Sequence, residues 1–165
     1  MIHIVLFQPE IPPNTGNIIR TCMASNAKLH LIKPLGFAIN DAAFKRAGLD
    51  YLRSFHFDTY ENYDDFLKIC QPDKANTYII TRFAEFTYSD ANLKDENKDY
   101  WFIFGSETHG LPDSIHKEYE NHRLRIPMDA NARCLNLSNS VAIIVYEALR
   151  QQNFPTLSKV NRLKG

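Results

Sequence analysis

Cysteine is scarce in this chain. Cys22, Cys70 and Cys134 lie far apart, with no CxxC pair among them, which argues against a disulfide framework and a zinc site. Thiols kept reduced in a cytoplasm are the expectation. Excess charge is missing as well: 19 basic and 19 acidic residues cancel, so the surface as a whole is not built to attract nucleic acid. A local patch drawn from Lys45, Arg46, Arg123, Arg125, Arg133 and the tail residues Lys159, Arg162 and Lys164 stays open. No apolar run approaches a membrane span, and residues 1–7 lack the basic region and cleavage site of a leader. They read as a first strand, and no membrane partner is expected. GxxxxGK, GxGxxG and GxSxG are all absent, which sets aside P-loop, Rossmann and nucleophile-elbow chemistry. Nothing supplies His and acidic ligands at metal spacing, so no metal is expected.

What is present suits one domain. A chain of 165 residues, 44% hydrophobic and 23% charged, can bury a core without staples. Short apolar runs at 2–7, 29–32, 53–57, 78–81, 100–104 and 123–126 predict strands. Helical patterns cover 17–25, 41–47, 63–70, 112–119 and 138–152. That alternation predicts an α/β fold, a mostly parallel sheet with helices on both faces, in a single domain over 1–157 followed by a tail over 158–165. The last helix carries Val141-Ala142-Ile143-Ile144-Val145-Tyr146, apolar nearly all round, as expected of a helix sandwiched in a core or shared with a second subunit.

Three segments can carry chemistry. The apolar run Tyr100-Trp101-Phe102-Ile103-Phe104 stops at Gly105-Ser106-Glu107-Thr108-His109-Gly110-Leu111-Pro112, a polar loop at a strand's carboxyl end, where open α/β sheets bind ligands. Within it Glu107 can hold a ligand or orient Arg20 through an ion pair; a Ser106–His109 hydrolase lacks an acid partner. Pro12-Pro13-Asn14-Thr15-Gly16-Asn17-Ile18-Ile19-Arg20 follows the first strand. Asn14 or Thr15 can cap its helix, and the free amides there would suit a phosphate within reach of Arg20. The third segment runs from Ile126 to Ser140, with Asn136, Ser138 and Asn139 clustered at a helix start. Cys134 reads as a packed thiol rather than a nucleophile.

Taken together, Asn14–Arg20, Phe104–Pro112 and the stretch from Arg125 through Val141 resemble the three motifs of the SPOUT class of RNA methyltransferases. More closely, the chain is similar to the small bacterial tRNA (cytidine/uridine-2'-O)-methyltransferases of the TrmL (YibK) type, from Ile4 to about Pro155. The resemblance implies a trefoil knot at the carboxyl end, which pattern reading alone would not suggest. It implies S-adenosylmethionine (AdoMet) bound in that knot, an obligate homodimer, and methyl transfer to the ribose 2'-hydroxyl of the wobble nucleotide, position 34, in the anticodon stem-loop of leucine tRNAs. Cofactor contacts would fall to Ile79, Ile80, Gly105, Glu107, Ile126, Met128, Cys134 and Leu135, many through the backbone. Arg20 matches the family's essential arginine; Asn14, Glu107, Ser138 and Asn139 match its polar catalytic neighbours. Ser106 stands where relatives commonly carry proline, and Cys134 where serine is common. A guanidinium is a poor proton acceptor at neutral pH, so Arg20 is expected to act as an electrostatic anchor. The alternative, a non-catalytic RNA- or nucleotide-binding protein of the same fold, would have no need of Arg20, Glu107 and Asn139.

Overall fold

Hydrophobic alternation on a few strands organises the molecule. In the computed structural model, which describes residues 1–40, 42–48 and 54–160, the strands are β1 (Ile2–Phe7), β2 (Lys28–Ile32), β3 (Asp58–Tyr60), β4 (Thr77–Ile80), β5 (Phe86–Thr87), β6 (Tyr100–Phe104) and β7 (Arg123–Arg125). The helices are α1 (Pro12–Ser25), α2 (Ala42–Gly48), α3 (Tyr63–Cys70), α4 (Asp113–Glu118) and α5 (Leu137–Gln151). All seven strands join one parallel sheet in the order β3-β2-β1-β6-β4-β7-β5. The chain builds outward from β1 through β2 to β3 and continues with β4. It then inserts β6 between β1 and β4 before adding β7 beyond β4. The carboxyl ends of the adjacent strands β1, β6, β4 and β7 therefore point the same way, and the loops that leave them share one edge of the sheet.

Each face of the sheet has its own core. Ile4 and Leu6 of β1, Leu29 and Leu31 of β2, and Phe102 and Phe104 of β6 pack with Ile18, Ile19 and Cys22 of α1 and Val141, Ile144 and Val145 of α5. Val5, Ile79, Trp101 and Ile103, the alternate positions, pack with Phe66 of α3 and Ile115 of α4. Period-two alternation thus sends successive residues of one strand to opposite helical layers. Burying side chains of this size contributes roughly 1.5–3 kcal/mol each.

Most expected elements are present, with differences that have physical causes. The helix expected at 17–25 begins at Pro12, because proline lacks an N–H that a first turn leaves unpaired anyway and has a suitable φ. The strand expected at 53–57 forms at Asp58–Tyr60: Phe55 and Phe57 pack partly buried against the core, while His30, Leu31 and Ile32 pair with Asp58, Thr59 and Tyr60. Arg53, Asp41, Arg162 and Lys164, all parts of expected features, lie outside the described residues. β5, two residues long, is too short to display a period in the sequence. On α5, Val141, Ile144, Val145, Ala148 and Leu149 are buried, whereas Tyr146 is 43% exposed. The single chain covers one side of that helix. No described helix is long and apolar enough to cross a membrane.

A polar chain runs through the core beneath α3. His3 Nδ1 meets His30 Nε2 at 2.9 Å, His30 Nδ1 meets the Tyr60 hydroxyl at 2.8 Å, and that hydroxyl meets Cys70 Sγ at 3.0 Å. Trp101 stacks on His3 with ring centroids 3.7 Å apart. Burial holds both imidazoles well below their ordinary value, at about 4, so neutral rings are the folded form.

Candidate functional site

The segments that leave β1, β4, β6 and β7 close a cavity of about 620 Å³ over the carboxyl ends of those strands, a size usual for small-molecule sites. The loop after β6 is a compact turn. Ser106 N–H donates to the Gly110 carbonyl at 3.2 Å, Gly110 N–H returns to Ser106 O at 3.0 Å, and His109 N–H donates to Ser106 Oγ at 3.1 Å. Gly110 has φ +67°, and a Cβ on Gly105 would lie 2.3 Å from the Gly110 carbonyl carbon. The close approach at Gly105 leaves no room for a Cβ, and the left-handed φ of Gly110 costs glycine least.

Glu107 leaves this turn and reaches the start of α1. Its carboxylate accepts from the Glu10 N–H at 2.8 Å, the Ile11 N–H at 3.1 Å and Asn14 Nδ2 at 3.3 Å. α1 has Ile11 as its N-cap residue and no side-chain cap of its own, so the expected capping by Asn14 or Thr15 does not occur. A carboxylate distant in sequence takes those donors and meets the helix dipole. The amides expected to hold a phosphate, those following Asn14 and Thr15, lie inside α1 because the helix already begins at Pro12. Nor does Glu107 pair with Arg20, among the described residues, because its oxygens are committed to the start of α1.

Asn14 then connects the third loop. Asn136 Nδ2 donates to Asn14 Oδ1 at 3.0 Å, while Asn136 Oδ1 accepts from Ser138 N–H at 2.9 Å, Ser138 Oγ at 2.6 Å and Asn139 N–H at 3.4 Å. Asn136 thus caps α5 and ties it to α1 with one side chain. The chain Glu107–Asn14–Asn136 laces the three segments together, each donor having an acceptor and a carboxylate ending the series.

Of the expected catalytic residues, Asn14 and Glu107 line the cavity. Ser138 and Asn139 are hydrogen-bonded to Asn136 but are not part of the wall, which Asn136 and Ser140 line instead. Arg20 is exposed on α1 and outside this wall. Of the expected cofactor residues, Ile80, Gly105, Glu107, Ile126, Met128, Cys134 and Leu135 line the cavity. Ile79 does not, because strand alternation turns its side chain into the core under α3 and α4 while Ile80 faces the other way. Cys134 is exposed, which corrects its reading as a packed thiol. Ser106 and His109 form no catalytic pair: the His109 ring binds Glu10 at 2.8 Å. Hydrogen bonds from Thr108 and then His109 hold the Glu10 carboxyl below its usual range. Arg82, Phe83, His116 and Arg133 also line the cavity and were not singled out for it. Thr81-Arg82-Phe83 directly follows β4, so the strand-end rule applied to β6 would have found them. Among the described residues no group of His, Cys, Asp and Glu is placed to hold a metal ion.

Comparison with known proteins adds an independent line. Residues 1–146 match the model of the SpoU rRNA Methylase family. A relative from Listeria monocytogenes, provisionally named a tRNA (cytidine(34)-2'-O)-methyltransferase, is 52% identical over 155 residues, 94% of this chain and 90% of that protein. The protein named tRNA (cytidine(34)-2'-O)-methyltransferase from Burkholderia ambifaria is 43% identical over 155 residues, 93% of this chain and 97% of its own. A solved structure described as giving insight into the 2-OH methylation of C/U34 on tRNA superposes with a TM-score of 0.82 at 35% identity, covering 93% of this chain and 97% of that one.

Proposed function

Because the chain belongs to the SpoU rRNA methylase family, we propose that it is an AdoMet-dependent tRNA methyltransferase acting on the ribose 2'-hydroxyl of nucleotide 34. The relatives that cover nearly its whole length carry that activity in their names. The structural observation that carries the reading is the Glu107–Asn14–Asn136 chain, which holds the three motif segments around one cavity. We extend the proposal to a homodimer that binds the anticodon stem-loop of leucine tRNAs, to residues 1–157 as one catalytic domain, and to the family's trefoil knot.

The residues present fit the cofactor. Ile80, Ile126, Met128 and Leu135 offer apolar wall for a nucleoside, and the loop backbones around Gly105 and Cys134 offer amides and carbonyls. When bound, AdoMet supplies a methyl group already activated by the sulfonium. The remaining work concerns the acceptor, a barely acidic hydroxyl that must be aligned and stabilised as charge develops on it. Ser138 and Asn139 are the proposed groups that orient the hydroxyl. Arg20 is the proposed anchor for the substrate phosphate and the developing alkoxide; from its exposed place on α1 it would serve the cavity of a neighbouring copy. Its permanent charge suits that role better than proton abstraction.

The acceptor atom can be tested directly. A leucine tRNA carrying ribocytidine at position 34 gains one methyl group from labelled AdoMet, and the same tRNA with 2'-deoxycytidine there gains none. Equal labelling of the two would overturn the assignment.

A further inference from the structure

Phe83 lies at the cavity wall and is 63% exposed. The Arg82 guanidinium carbon stands 4.8 Å from the ring centroid, and the His116 imidazole meets the ring edge-on, centroids 6.1 Å apart. Core packing does not explain an aromatic ring left in water with a cation over it. The charge around the cavity is equally uneven. Arg82 and Arg133 line it, and among the described lining residues the one carboxylate, Glu107, is committed to the amides of α1. In a chain of zero net charge this is a local cationic site. AdoMet, a net cation, has one carboxylate and can engage at most one of the two guanidiniums; a polyanion can use both. An exposed aromatic ring beside arginine is the combination on which unpaired nucleobases stack.

We propose that Phe83, with Arg82 over it and His116 at its edge, is the platform on which the base of the target nucleotide stacks as its ribose enters the cavity. The inference rests on the tRNA-methylating function proposed above. It makes Phe83 a substrate-binding residue: the ring sets the position of the base, the glycosidic bond carries that position to the ribose, and Arg82 pairs with the adjoining phosphate.

Steady-state methylation of an anticodon stem-loop, with fluorescence of pyrrolocytidine placed at position 34, provides the test. Phe83→Ala should raise KM for the stem-loop between about 5-fold and 150-fold, the range expected for one base stacked on an aromatic ring. It should also abolish the quenching of pyrrolocytidine on binding, with AdoMet affinity and melting temperature unchanged. Phe83→Trp should restore quenching and KM, and Phe83→Leu, apolar without a π-face, should not. Unchanged KM in Phe83→Ala, rescue by leucine, or weakened AdoMet affinity with normal KM for RNA would each overturn the platform. Wild-type protein that methylates no stem-loop would overturn the functional reading itself, a failure seen before any variant is made.

Discussion

Glu107 occupies the point where loop chemistry and helix electrostatics meet. Removing it leaves two backbone amides and one side-chain amide without their acceptor, and a charge-assisted hydrogen bond contributes about 1.5–3 kcal/mol. Glu107→Ala should therefore lower the unfolding free energy by about that amount in urea titration and weaken AdoMet binding in calorimetry. Wild-type values for both would dismiss the clamp. Asn136→Ala deletes the α5 cap and the link to Asn14 together. Its expected cost is about 1–2 kcal/mol, measured in the same titration, with a fall in kcat for tRNA as Ser138 and Asn139 lose their shared acceptor. Gly105→Ala places a carbon 2.3 Å from the Gly110 backbone, so the turn must open, and loss of measurable AdoMet binding is the expected result. Residue roles were only partly legible in the sequence. Asn14 and Glu107 stood out as polar groups in glycine-bearing loops, yet nothing in their spacing told that each would bond the other's segment. Arg82 and Phe83 sit one step past a strand that carries no glycine flag.

Among the elements, apolar alternation was most readable where both faces of a strand are buried. β1 and β6 appear at their expected bounds because every second residue feeds a different helical layer. α1 starts earlier than expected because Pro12 and Pro13 open it, while Glu107, far along the chain, takes the N–H groups of Glu10 and Ile11 just ahead of it. β3 slipped because Phe55 and Phe57 mimic a strand pattern while packing beside the sheet. The pairing of β1 with β2 also sets a pH dependence through His3 and His30. Both are held at about 4, chiefly by burial, whereas an unfolded imidazole titrates near 6.5. Above that value stability is complete. As pH falls from about 6.5 toward 4 the unfolded chain takes up protons that the folded chain refuses, and stability is lost with a slope approaching about 1.4 kcal/mol per pH unit for each histidine. Urea midpoints at pH 7.5 and 5.0 should therefore differ clearly, the lower pH being less stable. A flat profile would contradict the buried neutral pair.

Across the whole molecule, one parallel sheet brings four strand ends to a single edge and leaves Arg20 and Tyr146 facing outward on α1 and α5. If two copies combine these surfaces, Arg20→Ala should abolish methylation while leaving AdoMet affinity within a few-fold. The affinity for tRNA should also fall steeply with salt, as expected when phosphate contacts dominate. Loss of cofactor binding in that variant would count against the anchor role. The most direct measurement is nucleoside mass spectrometry of leucine tRNA, taken from cells lacking the modification and incubated with the protein and AdoMet. A single 2'-O-methylated nucleoside at position 34 is the expected product; methyl groups on a base, at another position, or nowhere would contradict it.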